Sequence, residues 1–389
     1  LGQLYALTGD YQKGINAYEK LTQARPQDLQ LLKKLAQLYS WNKLPQKELL
    51  LYEKMAKLTP NDLDLHKRLA KFYQWQKLPD KTIAEYKKII ELRPEDIEAH
   101  LDLANIYSWN KMPQEAISIY SKLLQKSPDN LEIKRKIAQT YLGNKKELEA
   151  IRVYQEVVQQ DPKDFGSRKM LAQLYLWNDM LEQAIGQYEM LIVLKPADMA
   201  LRTRLLSLYY QANSLPKIVR EYEKLIRDYP ERTEYRIELA KLYLYQGDEK
   251  SAIEQYEEAL RLEPQHVETL KELGQLYKFN MMPKEAIACY EKAGRITPED
   301  QDISDELIEL YTGNNLPLKT IQMYEHKLSQ EPNNISLYKI LAENYGWVQN
   351  LKKAIYYYEK LVEKAPNNLE FKKLLAKHYG WDNQIDKEI

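Results

Sequence analysis

Six tryptophans stand in register in this 389-residue chain. Trp41, Trp75 and Trp109 are each 34 residues apart, and Trp177, Trp347 and Trp381 fall on multiples of the same interval. Tyr245 and Phe279 continue the row, while Leu7, Gly143, Gln211 and Gly313 interrupt it. A row of flat apolar rings does its chemistry by non-covalent contact: it suits sugar faces, prolines or the apolar side chains of a partner. No other residue set points to bond-making chemistry. His66, His100, His266, His326 and His378 are scattered, with no ligand spacing among them. Glycine-rich phosphate loops, nucleophile elbows and zinc signatures are absent from the sequence. Cys289, the only cysteine, lies beside Tyr290 and reads as a small buried apolar residue rather than a reactive thiol. The expectation is a non-enzyme that needs neither cofactor nor metal.

Residues recurring at a fixed interval need elements that recur with them. Prolines stand every 34 residues from Pro26 to Pro366 without a slip. With that proline numbered as position 32, tyrosine occupies position 11 of every copy, from Tyr5 to Tyr379, and position 24, from Tyr18 to Tyr358. These two positions hold 23 of the 31 tyrosines and are expected in the core. Residues 61–94 show the unit. Leu65, Leu69, Ala70 and Tyr73 share one helical face, and Ile83, Tyr86, Ile89 and Ile90 share a second. Gln76, Lys77, Leu78 and Pro79 form the turn between them, and Pro94 ends the second helix. Position 8 is small in most copies (Gly2, Ala36, Ala70, Gly274), which lets paired helices approach closely.

The turn has its own chemistry. Asparagine at position 14 (Asn42, Asn110, Asn144, Asn178, Asn280, Asn314) is expected to take the left-handed conformation that closes a helix. Pro45, Pro79, Pro113, Pro283 and Pro317 at position 17 should open the second helix, where a missing N–H is harmless. Gly9 and Gly247 occupy position 15.

A 34-residue unit with Leu-(Gly/Ala)-x-x-Tyr, Ala-x-x-x-Tyr and a closing proline resembles the tetratricopeptide repeat. The resemblance covers the whole chain, and the unbroken 34 argues against the 35-residue pentatricopeptide family, which reads RNA. It implies an all-α, right-handed superhelical solenoid: one array over 1–389, with a partial repeat 1–26, ten full repeats 27–366 and a partial repeat 367–389. The weakest seam is expected in the seventh repeat, where Leu206 replaces the small residue and the turn proline slips to Pro216; Ile308 makes a similar replacement in the tenth. The first helix is already under way at Leu1, so the chain is expected to be an excerpt of a longer protein. Position 4 departs from the family, which often has tryptophan there: here stand Leu32, His66, His100 and Lys134. That departure predicts a looser outer seam.

In this family the stripe 2-5-9-13 of the first helix lines the concave, ligand-binding face. The tryptophans fall on it, and two readings stay open: rings packed over the turn against the next repeat, or rings open to a ligand. The charged part of the stripe is mostly acidic at position 2 and mostly basic at position 5, so the two rows either neutralise each other on a solvated face or present charge to a partner. A chaperone-type carboxylate clamp does not fit, since Asn105 follows Leu101 rather than a lysine, and Arg68 and Asp102 stand where the clamp needs asparagine. Acidic and basic residues balance at 57 each, which gives no charge reason to expect nucleic acid or a membrane surface. No run of 18 apolar residues spans a membrane. The balance hides local charge: residues 27–60 carry +3 and residues 299–332 carry −6. The expected partner-binding residues are therefore Trp41, Trp75, Trp109, Trp177, Trp347 and Trp381, with a basic front at Lys33, Lys67 and Lys71 and an acidic block at Asp302, Asp305 and Glu309.

Leu-Ala-x-x-Tyr-x-Trp-Asn, at residues 35–42, 103–110 and 171–178, is similar to repeats of periplasmic arrays that precede outer-membrane β-barrels in Pel-type and cellulose-type exopolysaccharide exporters. That similarity implies a periplasmic scaffold in biofilm polymer export, with a polysaccharide-modifying enzyme as protein partner and the polysaccharide as a second ligand. The alternative is a cytoplasmic adaptor that binds peptides.

Overall fold

The computed structural model describes residues 11–382. The expectations for Gly2, Tyr5, Leu7 and Gly9 lie outside them. Among the described residues there are 22 helices and no strand. They alternate between two lengths. First helices have 13 residues, as in Leu29–Trp41, Leu63–Trp75 and Ile97–Trp109. Second helices have 14, as in Pro45–Leu58, Pro79–Leu92 and Pro113–Lys126. Turns of three and four residues complete the 34. This is an all-α helical repeat solenoid. The chain divides into two compact units, Leu1–Ala212 and Asn213–Ile389, and the division falls inside the seventh repeat.

Local chemistry sets each boundary. The residue before a first helix is usually Asp or Asn, and its side chain accepts hydrogen bonds from the helix's free N–H groups: Asp62 from the amides of Asp64 and Leu65, Asn130 from those of Glu132 and Ile133. Arg232 is an exception and makes no side-chain cap. Second helices open on Pro45, Pro79, Pro113, Pro283 and Pro317, as their fixed φ dictates.

The turn corrects one expectation. Position 14 is not left-handed: Asn42 has φ −84° and Asn110 φ −95°. The left-handed residue is position 15, with Lys43, Lys77, Lys111, Asp179 and Met281 at φ between 56° and 59° and Gly247 at 77°. This conformation aims the next N–H back at the position 11 carbonyl, as from Leu44 to Tyr39 (2.8 Å) and from Leu78 to Tyr73 (2.9 Å). The asparagines serve differently. The side-chain amides of Asn110, Asn144, Asn178, Asn280 and Asn314 donate to the position 10 carbonyl, as Asn110 does to Ile106 (2.7 Å) and Asn178 to Leu174 (2.8 Å), while that of Asn42 donates to the Gln12 side chain.

Most tyrosines at positions 11 and 24 are buried, as their spacing predicts, while Tyr141, Tyr222, Tyr243 and Tyr324 are half-buried. Within the first unit Tyr86, Tyr107 and Tyr120 join Ala70, Ala104 and Ala116 in one core; within the second, Tyr256, Tyr277 and Tyr290 join Ala252 and Gly274's neighbours. Gly274 answers a close approach, because a Cβ there would lie 2.8 Å from the Tyr290 ring. The hydroxyls tie repeats together. Tyr39, Tyr73, Tyr277 and Tyr345 each donate to a glutamate 20 residues earlier, in the preceding repeat, at 2.6 Å.

Position 4 is tied rather than loose. His66 Nε2 meets the Pro60 carbonyl at 2.9 Å and its Nδ1 meets Glu85 at 2.6 Å. The Arg168 Nε donates to the Pro162 carbonyl (2.8 Å), and the Tyr338 hydroxyl to that of Pro332 (3.0 Å). A polar bond to the repeat-ending proline stands where the family often has a packed tryptophan.

Candidate ligand-binding surface

Each tryptophan is the last residue of its first helix, so its ring projects over the turn rather than into the hairpin. Trp41, Trp75, Trp109, Trp177, Trp347 and Trp381 are between 47% and 68% exposed. Tyr245 and Phe279 are more exposed still. Where the row is broken by Gly143 and Gly313, an added Cβ would meet nothing within 4 Å. At these two copies position 13 therefore has open space beside its backbone. The two ends of the row keep some contacts: Trp41 lies against the Tyr11 ring (5.7 Å between centroids), and Trp381 against His378 (4.7 Å).

Two of the rings wall a repeating pocket. Trp75 closes about 520 Å³ over the preceding turn, formed with Leu44, Pro45 and Phe72. Trp109 closes about 420 Å³ over Leu78, Pro79 and Ile106, the same arrangement one repeat on. A third cavity of about 430 Å³ joins Trp41 to Lys33, Gln37 and Asp64, so the tryptophan stripe and the charged stripe meet there.

The floors of the first two pockets differ. Under Trp109 lies Thr82, whose hydroxyl is spent on the Leu78 carbonyl (2.8 Å). Under Trp75 lies Glu48, buried at a position that is alanine in six other repeats. Burial raises the Glu48 carboxyl above its ordinary range, opposed by Tyr52, Ser40 and Arg68. Arg68 sits 5.7 Å over the Tyr52 ring, which in turn lies 5.8 Å from Phe72. Sequence spacing did not reveal Glu48 as a site residue; its signal was a carboxylate at a position otherwise given to small residues.

The charged residues of the stripe are largely engaged within the chain. Lys33 pairs with Asp62 (3.8 Å) and Lys67 with Asp96 (3.0 Å), the aspartates that cap the following first helix. Hydrogen bonding from the Ala99 amide, then from Lys67, holds the Asp96 carboxyl below its usual range. In the acidic block Asp302 pairs with Lys271 (3.8 Å), Asp305 with Lys327 (2.7 Å) and Glu309 with Lys278 (2.8 Å). Lys71 lines the Trp75 pocket. The net charge counted from the sequence therefore overstates what each block offers a partner.

Burial raises the Cys289 thiol to about 11, which leaves little thiolate at neutral pH. Among the described residues no three His, Cys, Asp or Glu side chains gather as a metal site, and no helix is long and apolar enough to cross a membrane.

Comparison with known proteins bears on the repeat. Residues 1–28, 98–130 and 234–276 each match a family model described as tetratricopeptide repeat. No curated protein matches the chain. Among solved structures, a chain in Naa15/Naa10 bound to HypK-THB aligns over all of this chain and 66% of its own length, at 14% identity and a TM-score of 0.44. MamA aligns over 43% of this chain and 97% of its own, at 19% identity and a TM-score of 0.29. A tetratricopeptide repeat protein from Parabacteroides merdae aligns over 64% of this chain and 98% of its own, at 15% identity and a TM-score of 0.35. The three repeat matches fall on the same 34-residue period that the helices follow without a slip, and the chain belongs to the tetratricopeptide-repeat family.

Proposed function

We propose that the chain is a non-catalytic scaffold that holds protein partners, and that it does so in the periplasm as the repeat segment of a bacterial exopolysaccharide-export protein of the outer membrane. The exposed aromatic row carries the reading. Large rings left about half or more exposed at a fixed interval offer apolar surface to a partner. The run Leu-Ala-x-x-Tyr-x-Trp-Asn supports the export assignment, and the partners it suggests are a polysaccharide-modifying enzyme and the polymer itself.

The test is tryptophan fluorescence during titration with soluble oligosaccharides and with the purified modifying enzyme. The expected result is a saturable change in the native array that shrinks as Trp41, Trp75, Trp109 and Trp177 are replaced by leucine. An equal response in the replaced variants would overturn the role of the row. Recovery of the full-length protein in the cytoplasmic fraction would overturn the export assignment.

A further inference from the structure

The pocket under Trp75 differs from its neighbour in ways that packing does not require. Its walls are apolar: Leu44, Pro45, Phe72 and the Trp75 ring. Its rim carries three cations, Lys43, Arg68 and Lys71. Its floor is the buried Glu48, with Tyr52 and Ser40 as hydrogen-bonding neighbours. The Trp109 pocket has the neutral Thr82 as its floor and one lysine, Lys77, on its rim. The surroundings carry the same sign as the rim, since residues 27–60 and 61–94 are each net basic.

We infer that the pocket between the Leu44–Pro45 turn and Trp75 takes an apolar side chain from an acidic peptide segment of a protein partner. The inference rests on the array being a binding scaffold and names the chemistry of one partner. The pocket volume suits a single phenylalanine or leucine side chain with the backbone on either side of it. Carboxylates flanking that anchor then fall near Lys43, Arg68 and Lys71, where opposite charge both speeds encounter and fixes register. Glu48 serves as the limit on this attraction. It lines the same pocket as Arg68 and opposes the positive charge of the rim.

The experiment uses the whole chain and three labelled synthetic peptides, each with a central phenylalanine flanked by glutamates, by serines or by lysines. Binding is read by fluorescence polarisation at low and high salt. The glutamate peptide should bind, with affinity falling as salt screens the rim, and the lysine peptide should not. Lys43→Glu with Lys71→Glu should weaken the glutamate peptide by about tenfold or more, a change of about 1.4 kcal/mol per decade. Lys57→Glu makes the same kind of charge change on an exposed second-helix position away from the pocket and should not weaken it. Glu48→Ala installs the residue that other repeats carry here, so the hairpin keeps its packing, and it should tighten the glutamate peptide. Equal affinity for glutamate and lysine peptides would overturn the inference, as would equal effects of the rim and Lys57 substitutions. If peptides bind but ignore every pocket substitution, the scaffold survives and this pocket falls. If neither peptides nor oligosaccharides bind anywhere, both fall.

Discussion

Tyr73 and Trp75 stand two residues apart on one helix and meet opposite environments: the tyrosine is buried and the tryptophan exposed. Helical spacing assigns both to faces, and it made the tyrosine core legible from the sequence. It does not say how far a face is covered, so the openness of the tryptophans was not legible. Nor was the bond from the Tyr73 hydroxyl to Glu53, which joins positions on different repeats. The turn is a third case. The asparagines drew attention to position 14 because their side chains tolerate left-handed backbone, yet geometry places that strain on Lys77 and its equivalents. Left-handed backbone costs an ordinary L-residue about 1–2 kcal/mol, so Lys77→Gly should stabilise the protein by about 0.5–1 kcal/mol once glycine's added chain entropy is counted. Gly247→Ala should do the reverse by about 1 kcal/mol. Urea unfolding of both variants checks the pair, and a loss of stability in Lys77→Gly would refute the assignment of strain.

At the scale of the helix, the proline period located nearly every boundary, because proline and the capping Asp or Asn both act through local backbone geometry. What the sequence left hidden was a division of labour. The sequence left open whether the basic residues at position 5 face a partner or are neutralised within the chain, and it did not name the acceptor: Lys33, Lys67, Arg135 and Lys271 reach the capping aspartate of the next repeat. Charge counts add residues; they do not pair them. Among the described first helices one lacks this support, since Arg232 precedes Thr233–Tyr245 without capping it. Arg232→Asp should therefore stabilise the protein by about 1 kcal/mol, and Asp62→Ala should destabilise it by about the same amount. Thermal unfolding of the two variants reads both changes, and a fall in melting temperature for Arg232→Asp would contradict the account.

The molecule as a whole is held by its tyrosines and presents its tryptophans. The first half of that statement predicts an alkaline limit. Burial raises the hydroxyls of Tyr120, Tyr290 and Tyr358 to about 12, and burial with a glutamate partner raises those of Tyr39, Tyr73, Tyr277 and Tyr311. An unfolded chain releases these protons near pH 10, so above that pH it binds fewer protons than the folded one. Stability should be complete below about pH 10 and fall steadily as pH rises toward 12, seen as a falling melting temperature. A flat profile across that window would contradict it. The second half is tested most directly without any ligand, by urea unfolding of the native array beside a variant with Trp75, Trp109, Trp177 and Trp347 all replaced by leucine. The rings lie largely in water, so the account predicts a total change of no more than about 2 kcal/mol, in keeping with surface substitutions of about 0.5 kcal/mol each. A loss approaching 3–5 kcal/mol per site, the scale of an aromatic removed from a packed core, would mean that the tryptophans hold the fold and are not free to bind.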